Sequence, residues 1–321
     1  MSILSKLKYM IKGAVRYSHI DDVLQSAQFR NERKFGELLR NVHSIEKGLS
    51  LEHIRKEFGY AKIMEAIALV HALLPCNEIV YNEAIDMFVS ALKTYLEYHE
   101  SIGYASEKIT EIRTAYEKIK NERQSPDNEF NTGGTLRIQH IIFSPDEKSV
   151  MTNLFECRHS VRAFSGLSVP DDRIKDAIRL AHRCPSACNR QGYRTHIISK
   201  DKFNVFNNWF EGVGGFKQDI DKFILVTGKQ SVYRSSEELQ YIVSASVFAA
   251  YLTLTLQIYD IGCCFIQRPV TYSKEWTIIS EKLSIPGDEQ IICALGIGML
   301  KSEYNVPVSH RIDIDTIVRF H

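Results

Sequence analysis

The stretch "ECRHSVRAFSG", Glu156 to Gly166, sets Arg158, His159, Ser160 and Arg162 close together ahead of a Phe-Ser-Gly turn. Guanidinium groups are planar, permanently charged donors suited to phosphate oxygens, and serine and histidine add short directional hydrogen bonds. Such a cluster suits a phosphorylated ligand, although a solvated basic stretch leading into a loop has the same composition. The chain as a whole gives no reason for it. Over 321 residues, 40 Lys+Arg against 39 Asp+Glu leave a formal charge of +1. No global field therefore gathers nucleic acid or anionic lipid, and a basic site here is a local one.

Downstream, "CPSACNRQGYRTHII" puts Pro185 and Ser186 at the end of an amphipathic helix, then Asn189 and Gln191, then a strand. Neutral amides and hydroxyls at alternating positions can hydrogen-bond a polar heterocycle or a polyol without adding charge. The same residues are also preferred at capped helix ends and in Asx turns.

Taken in order, "R-H-S-V-R-x-F", a helix and "P-S-A-x-N-x-Q" resemble the paired N-terminal motifs of the nitroreductase family of flavin mononucleotide (FMN) enzymes. The resemblance covers about residues 150 to 321 and implies an α+β fold, a mixed sheet flanked by helices. It also implies non-covalent FMN and a homodimer with flavin sites at the shared interface. The implied activity is ping-pong hydride transfer from NADH or NADPH, through FMN, to a small organic acceptor.

Carried over by position, the resemblance assigns Arg158, His159 and Ser160 to the FMN phosphate and ribityl chain and Arg162 to the pyrimidine edge. Hydride reduction builds negative charge at that edge, so a fixed cation at Arg162 has an electronic as well as a binding role. Pro185, Ser186, Ala187, Asn189 and Gln191 match the family segment that usually reaches FMN from the partner subunit. "VPVSHRIDIDTIV" resembles the terminal Pro-x-x-x-Arg segment, with Arg311 as a second phosphate contact. "IGCCFIQRP", 261 to 269, resembles the loop that lies against the flavin, its backbone donor left open among Phe265, Ile266 and Gln267. The sequence departs from the family at Gly192-Tyr193, where Pro-Trp is usual, and at Ser309, where a second basic phosphate ligand often stands.

The surrounding chain divides in two. From Ile20 to about Glu122 apolar residues recur at three and four positions, as in Phe35, Leu38, Leu39 and Val42, or Ile63, Ala66, Ile67 and Val70. That periodicity predicts helices, interrupted at Pro75. The polar, turn-rich stretch 121–135 predicts the boundary, giving a helical extension over 1–135 and a flavin-binding domain over 136–321. Beyond it, "THIISK", "KFILVTG" and "QIICALGIGM" read as strands, with helices at Asp171 to Arg183, Glu237 to Tyr259 and Lys274 to Leu283. No G-x-G-x-x-G follows a strand, and "GVGGF", 212 to 216, reads as a loop.

In the helical half, "HSIEKGLS", His43 to Ser50, and a later "FGYAK" resemble the extension on nitroreductase-like proteins associated with surface-polysaccharide biosynthesis. His43, Glu46 and Lys47 span about one helical turn near Gly48, as a convergent face or as an ordinary polar face with a glycine stop.

Two stretches invite a membrane reading. Residues 1–17 place Ile3, Leu7 and Ile11 at helical spacing among lysines, and are expected to dock on the protein itself rather than on a lipid surface. The uncharged run 241–259 is long enough to span a bilayer, but it carries Ser, Thr and Gln257 and lacks basic flanks, so a buried central helix is expected. The seven cysteines have no CxxC pairing, which points to reduced thiols in a cytoplasm. Cys263-Cys264 as a redox pair, and His182, Cys184 and Cys188 as metal ligands, are the weaker readings beside buried structural thiols. Two alternatives to a broad oxidoreductase stay open: a flavoenzyme dedicated to one biosynthetic intermediate, or a scaffold whose helical half is an interaction module.

Overall fold

A computed structural model describes residues 22–23, 25–123, 132–202, 213–237, 239–266 and 274–321, with backbone alone for 274–278. Residues 1–17, most of the boundary stretch, Gly212 and Gln267 lie outside the described residues.

The helical half forms α1 (Arg30–Leu49), α2 (Tyr60–Leu73), α3 (Ile79–Ser101) and α4 (Glu107–Arg123). The spacing read from the sequence is the spacing that packs: Phe35, Leu38, Leu39, Val42, Ile63, Ala66, Ile67 and Val70 are all buried. Pro75 acts as expected, since α2 stops at Leu73 and the chain tightens into a short turn over Leu74–Cys76, proline having no N–H to continue the ladder.

Four more helices follow among the described residues, α5 (Pro145–Cys157), α6 (Asp171–Ala181), α7 (Gln240–Ile258) and α8 (Lys274–Leu283). They accompany strands β1 (Tyr193–Ser199), β2 (Lys222–Lys229), β3 (Ile261–Ile266) and β4 (Glu289–Met299). The sheet order is β1-β2-β4-β3. All three strand pairs are antiparallel, and the parallel component is a single bridge between Ser160 and Cys263. The architecture is α+β, with an all-α region ahead of the sheet.

The unbroken run Phe223-Ile224-Leu225-Val226 fits a strand covered on both faces. Alternate side chains leave opposite faces of a strand, so Ile224 and Val226 join a core with α7, α6 and the helical half. Phe223 and Leu225 join a second core with Val161, Phe164 and Ile220. The core of the helical half is therefore continuous with one face of the sheet.

Among the described residues α7 is the one helix long and apolar enough to cross a bilayer. Here it lies on the sheet, with Tyr241, Ala245, Phe248, Ala249, Leu252 and Leu256 buried. One correction concerns 261–266, expected as a loop: it is edge strand β3, paired with β4 from Ile261↔Met299 to Ile266↔Ala294. Its small and apolar side chains fit between two cores, which a solvent-facing loop would not require.

Helix α1 lies close against the sheet half at Gly36, where an added Cβ would stand 2.3 Å from the carbonyl oxygen of Val232. That neighbour is backbone and cannot swing away. In Gly36→Ala the gain in helix propensity, about 1 kcal/mol, opposes an overpacking cost of about 1–3 kcal/mol. Urea unfolding is expected to show net destabilisation; an unchanged or higher midpoint would mean that α1 does not press on this turn.

Candidate functional site

The basic motif is held by the sheet edge. Helix α5 begins with a capping box, Ser144 and Glu147 each accepting from the other's backbone N–H, and ends at Arg158, whose backbone is extended. The Val161 N–H then donates to the Cys263 carbonyl at 2.9 Å, so the motif is held beside β3 by a single parallel bridge. Two glycines allow this close approach. A Cβ on Gly298 would meet the Phe164 ring at 2.5 Å, and one on Gly262 would meet Val161 at 3.2 Å.

The resulting donor set is largely unspent. Arg158, half-buried, has no hydrogen bond or ion pair among the described residues, and the same holds for the His159 ring and the Ser160 hydroxyl. Arg162 donates to the Ser160 carbonyl at 3.3 Å, and its guanidinium lies 5.9 Å from the Phe216 ring centre. Both arginines act on β3: burial pushes the Cys263 thiol up to about 12, with Arg158 opposing the rise, and burial raises Cys264, with Arg162 opposing. The two thiols enter different cores and all seven cysteines are free. A Cys263–Cys264 redox pair is thus disfavoured, because consecutive strand residues point apart.

The second motif folds as a braced loop. Cys188, Asn189 and Gln191 all take positive φ, between 50° and 52°, each costing roughly 1 kcal/mol or more for a residue with a Cβ. Ser186 Oγ accepts from the Gln191 N–H at 3.0 Å, and the Gln191 amide donates to Asn189 Oδ1 at 3.2 Å. The main brace is Arg190, fully buried. It makes a two-pronged pair with Glu237 at 2.7 and 2.6 Å, donates to the Ala187 carbonyl at 3.1 Å, and lies 4.5 Å from the Tyr233 ring centre.

Glu237 also accepts from the Arg234 N–H at 3.1 Å, and the Arg234 side chain donates to Glu37 of α1 at 2.6 Å. Through these ion pairs the helical half reaches the loop. Reasoning from the sequence missed both Arg190 and Glu237. A single arginine inside a polar motif reads as solvent-facing, and no spacing marks a partner so far along the chain.

The Gly192-Tyr193 departure has a local reason. A Cβ on Gly192 would stand 2.6 Å from the Tyr233 ring. Tyr193 stacks on Phe248 with ring centres 4.3 Å apart, and its hydroxyl meets His182 Nδ1 at 3.1 Å.

Within one chain the two motifs do not meet. The first lies against β3 and the second precedes β1, at opposite edges of the sheet. Along the strands, Tyr193 is level with Gly228 and Gln290, whereas Cys263 is level with Ile297. Standard spacings put them roughly 14 Å apart across the sheet and roughly 23 Å apart along it. Arg311 does not join Arg158 either: it lies on the exposed C-terminal segment and donates to the Ser309 carbonyl at 3.0 Å. Phe265 and Ile266 belong to β3, with the Phe265 side chain exposed and Ile266 buried.

Residues 156–225, the segment carrying both motifs, match the model of the Nitroreductase family. Similar solved structures include an FMN-dependent nitroreductase from Clostridium difficile R20291, 20% identical, spanning 53% of this chain and 98% of that one, with a TM-score of 0.45. A nitroreductase family protein from Streptococcus pneumoniae TIGR4 is 14% identical over 53% and 100% of the two chains, TM-score 0.45. A nitroreductase-like family protein from Bacillus cereus is 15% identical over 57% and 99%, TM-score 0.45. No curated protein matches the chain.

The Arg190–Glu237 pair gives a direct test of the loop. Removing one partner of a buried pair strands the other's charge, so Glu237→Gln is expected to cost about 3 kcal/mol at neutral pH by chemical unfolding. The Arg190 hydrogen bonds hold the Glu237 carboxyl below its ordinary range despite partial burial. A depressed carboxyl pKa stabilises the fold above the unfolded value and loses that contribution as pH falls through the folded value. The wild type should therefore show an acid-side loss of stability that Glu237→Gln lacks; equal slopes would remove the pair from its bracing role.

Proposed function

We propose that the chain is an FMN-dependent oxidoreductase of the nitroreductase type that works as a homodimer. The observation that carries this reading is the division of the donor set. Among the described residues, the Arg158 guanidinium, the His159 ring and the Ser160 hydroxyl at one sheet edge have no hydrogen-bond or ion-pair partner, while the neutral amides of Asn189 and Gln191 stand at the far edge. Two copies related by a two-fold axis can bring one chain's first motif to the other's second, completing two equivalent sites.

Apolar surface supports the same association. Helix α5 is well capped yet has no buried residue, with Phe155 63% exposed, and Ile142 in the segment before it 81% exposed. Val243, Tyr251 and Ile258 line an uncovered face of α7, and Ile312, Ile317 and Phe320 are exposed on the C-terminal segment. Apolar surface this extensive is unusual on a monomer and fits a covering second copy.

The donor chemistry fits FMN. Arg158, with Ser160 and His159, would hold the phosphate and ribityl oxygens, Arg311 arriving on the extended C-terminal segment. Asn189 and Gln191 would hydrogen-bond neutral polar edges, their loop fixed by Arg190. Arg162 would set a permanent cation at the pyrimidine edge, stabilising negative charge there without a proton transfer. Bound FMN would supply two-electron chemistry, taking hydride from NADH or NADPH and passing electrons to a small organic acceptor. The chain's part is to bind, orient and set charge. Seven free thiols fit work in a reducing cytoplasm.

The purified protein is expected to be yellow, to release FMN on denaturation and to bleach anaerobically with NADH or NADPH; colourless protein that FMN cannot reconstitute would end this reading. Arg158→Ala should weaken FMN roughly tenfold to a hundredfold, as the loss of a charged hydrogen bond implies. Mixing Arg158→Ala with Asn189→Ala under conditions of subunit exchange should restore flavin binding, because each mixed dimer regains one site free of both substitutions. Absence of recovery in verified mixed dimers would place both motifs in the same chain's site.

A further inference from the structure

The helical half contains a second donor-rich site, built where the two sequence stretches "HSIEKGLS" and "FGYAK" meet. Helix α1 runs through Gly48 to Leu49, so Gly48 is not a left-handed helix stop. Its place is set by packing, since a Cβ there would stand 2.1 Å from the Phe58 ring. The chain folds back over this glycine and opens a cleft of about 460 Å³ between the end of α1 and the start of α2. Small-molecule sites commonly have such volumes.

Three cations line the cleft, Lys47, Arg55 and Lys62, and no carboxylate does. Lys62 donates to Ser44 Oγ at 2.8 Å. The Lys47 and Arg55 side chains make no hydrogen bond or ion pair among the described residues. Three nearby acids are engaged by other groups: Glu57 is taken by Tyr104 and Lys108 at 2.9 and 3.0 Å, Glu46 accepts from the Gly134 N–H at 3.2 Å, and Glu111 accepts from the Tyr60 hydroxyl.

The same cleft takes in the start of α2. Its N-cap is Gly59, left-handed at φ 71° and without a side chain to cap the helix. The first N–H to bond back along the helix is that of Ile63, to the Gly59 carbonyl at 3.0 Å. The Tyr60, Ala61 and Lys62 amides precede it and have no intrahelical acceptor. Leu51 and Phe58 add apolar surface to the lining.

We propose that this cleft binds a small phosphorylated molecule, its phosphate or diphosphate held by Lys47, Arg55, Lys62 and the open amides of α2, its organic part against Phe58 and Leu51. The site uses none of the residues assigned to FMN.

Calorimetric titration of the FMN-replete full chain with inorganic pyrophosphate tests it. Saturable binding is expected, weakened tenfold or more in Lys47→Gln/Arg55→Gln, which removes two charged donors. FMN content and thermal midpoint should stay unchanged in that variant, and Arg158→Ala should retain pyrophosphate binding. Absence of saturable binding, or equal affinity in the double variant, overturns the proposal. Phosphatidylglycerol vesicles serve as a second arm: co-sedimentation that depends on Lys47 and Arg55, without a response to pyrophosphate, would assign the cations to a lipid surface and overturn the soluble ligand.

Discussion

Strands β2 and β4 lie side by side in the middle of the sheet, and their apolar side chains leave from both faces. Each face must be kept from water, and each is covered by different parts of the chain. Helices α6 and α7, together with the helical half, take one face. The stretch from Val161 to Phe164, with the chain around Phe216 and Ile220, takes the other. The basic motif is therefore held in place by core packing: Val161 and Phe164 go inward, and Arg158, Ser160 and Arg162 are left along the rim of β3. The same burial that closes the sheet prepares the cationic edge.

The other motif is positioned by electrostatics. Three consecutive-to-near positions with left-handed backbone are costly, and the loop keeps them because Arg190 is pinned below it by Glu237, by carbonyls and by the Tyr233 ring. A fully buried guanidinium without its carboxylate would be a large penalty, so the loop and the 233–237 turn depend on each other. Arg234 and Glu37 extend this dependence to α1, which at Gly36 presses against Val232, just ahead of that turn. The helical half is thus mechanically joined to the loop rather than appended to the sheet, and the brace acts through side chains that touch no proposed ligand.

The two anion-friendly places differ in construction. At β3 the donors stand on a sheet edge, Arg158 and Ser160 half-buried and Arg162 exposed, and the second motif lies on the far side of the same chain. In the helical half, Lys47, Arg55 and Lys62 converge within one chain around a helix start. As proposed, the first is completed by a second copy and the second is not. That difference lets variants separate them, because substitutions at one place leave the packing of the other untouched.

Much of this was legible in residue order alone. The three-and-four spacing of Phe35 to Val42 and of Ile63 to Val70 gave helices with the right buried faces, since a helix's inward stripe is a local consequence of its period. Strands β1, β2 and β4 announced themselves by short β-branched runs, and the paired motifs around Arg158 and Asn189 pointed to one family because their chemistry is written in short contiguous stretches. The identity of 261–266 as a strand was not legible, as a run of small apolar residues fits a strand or a buried loop until a partner strand is present. Nor was the role of Gly48, which depends on where Phe58 returns, nor the partner of Arg190. Residue order fixes what a segment can do by itself; which distant segment stands opposite it, and hence which charges are paired and which are left for a ligand, follows only when the chain closes on itself.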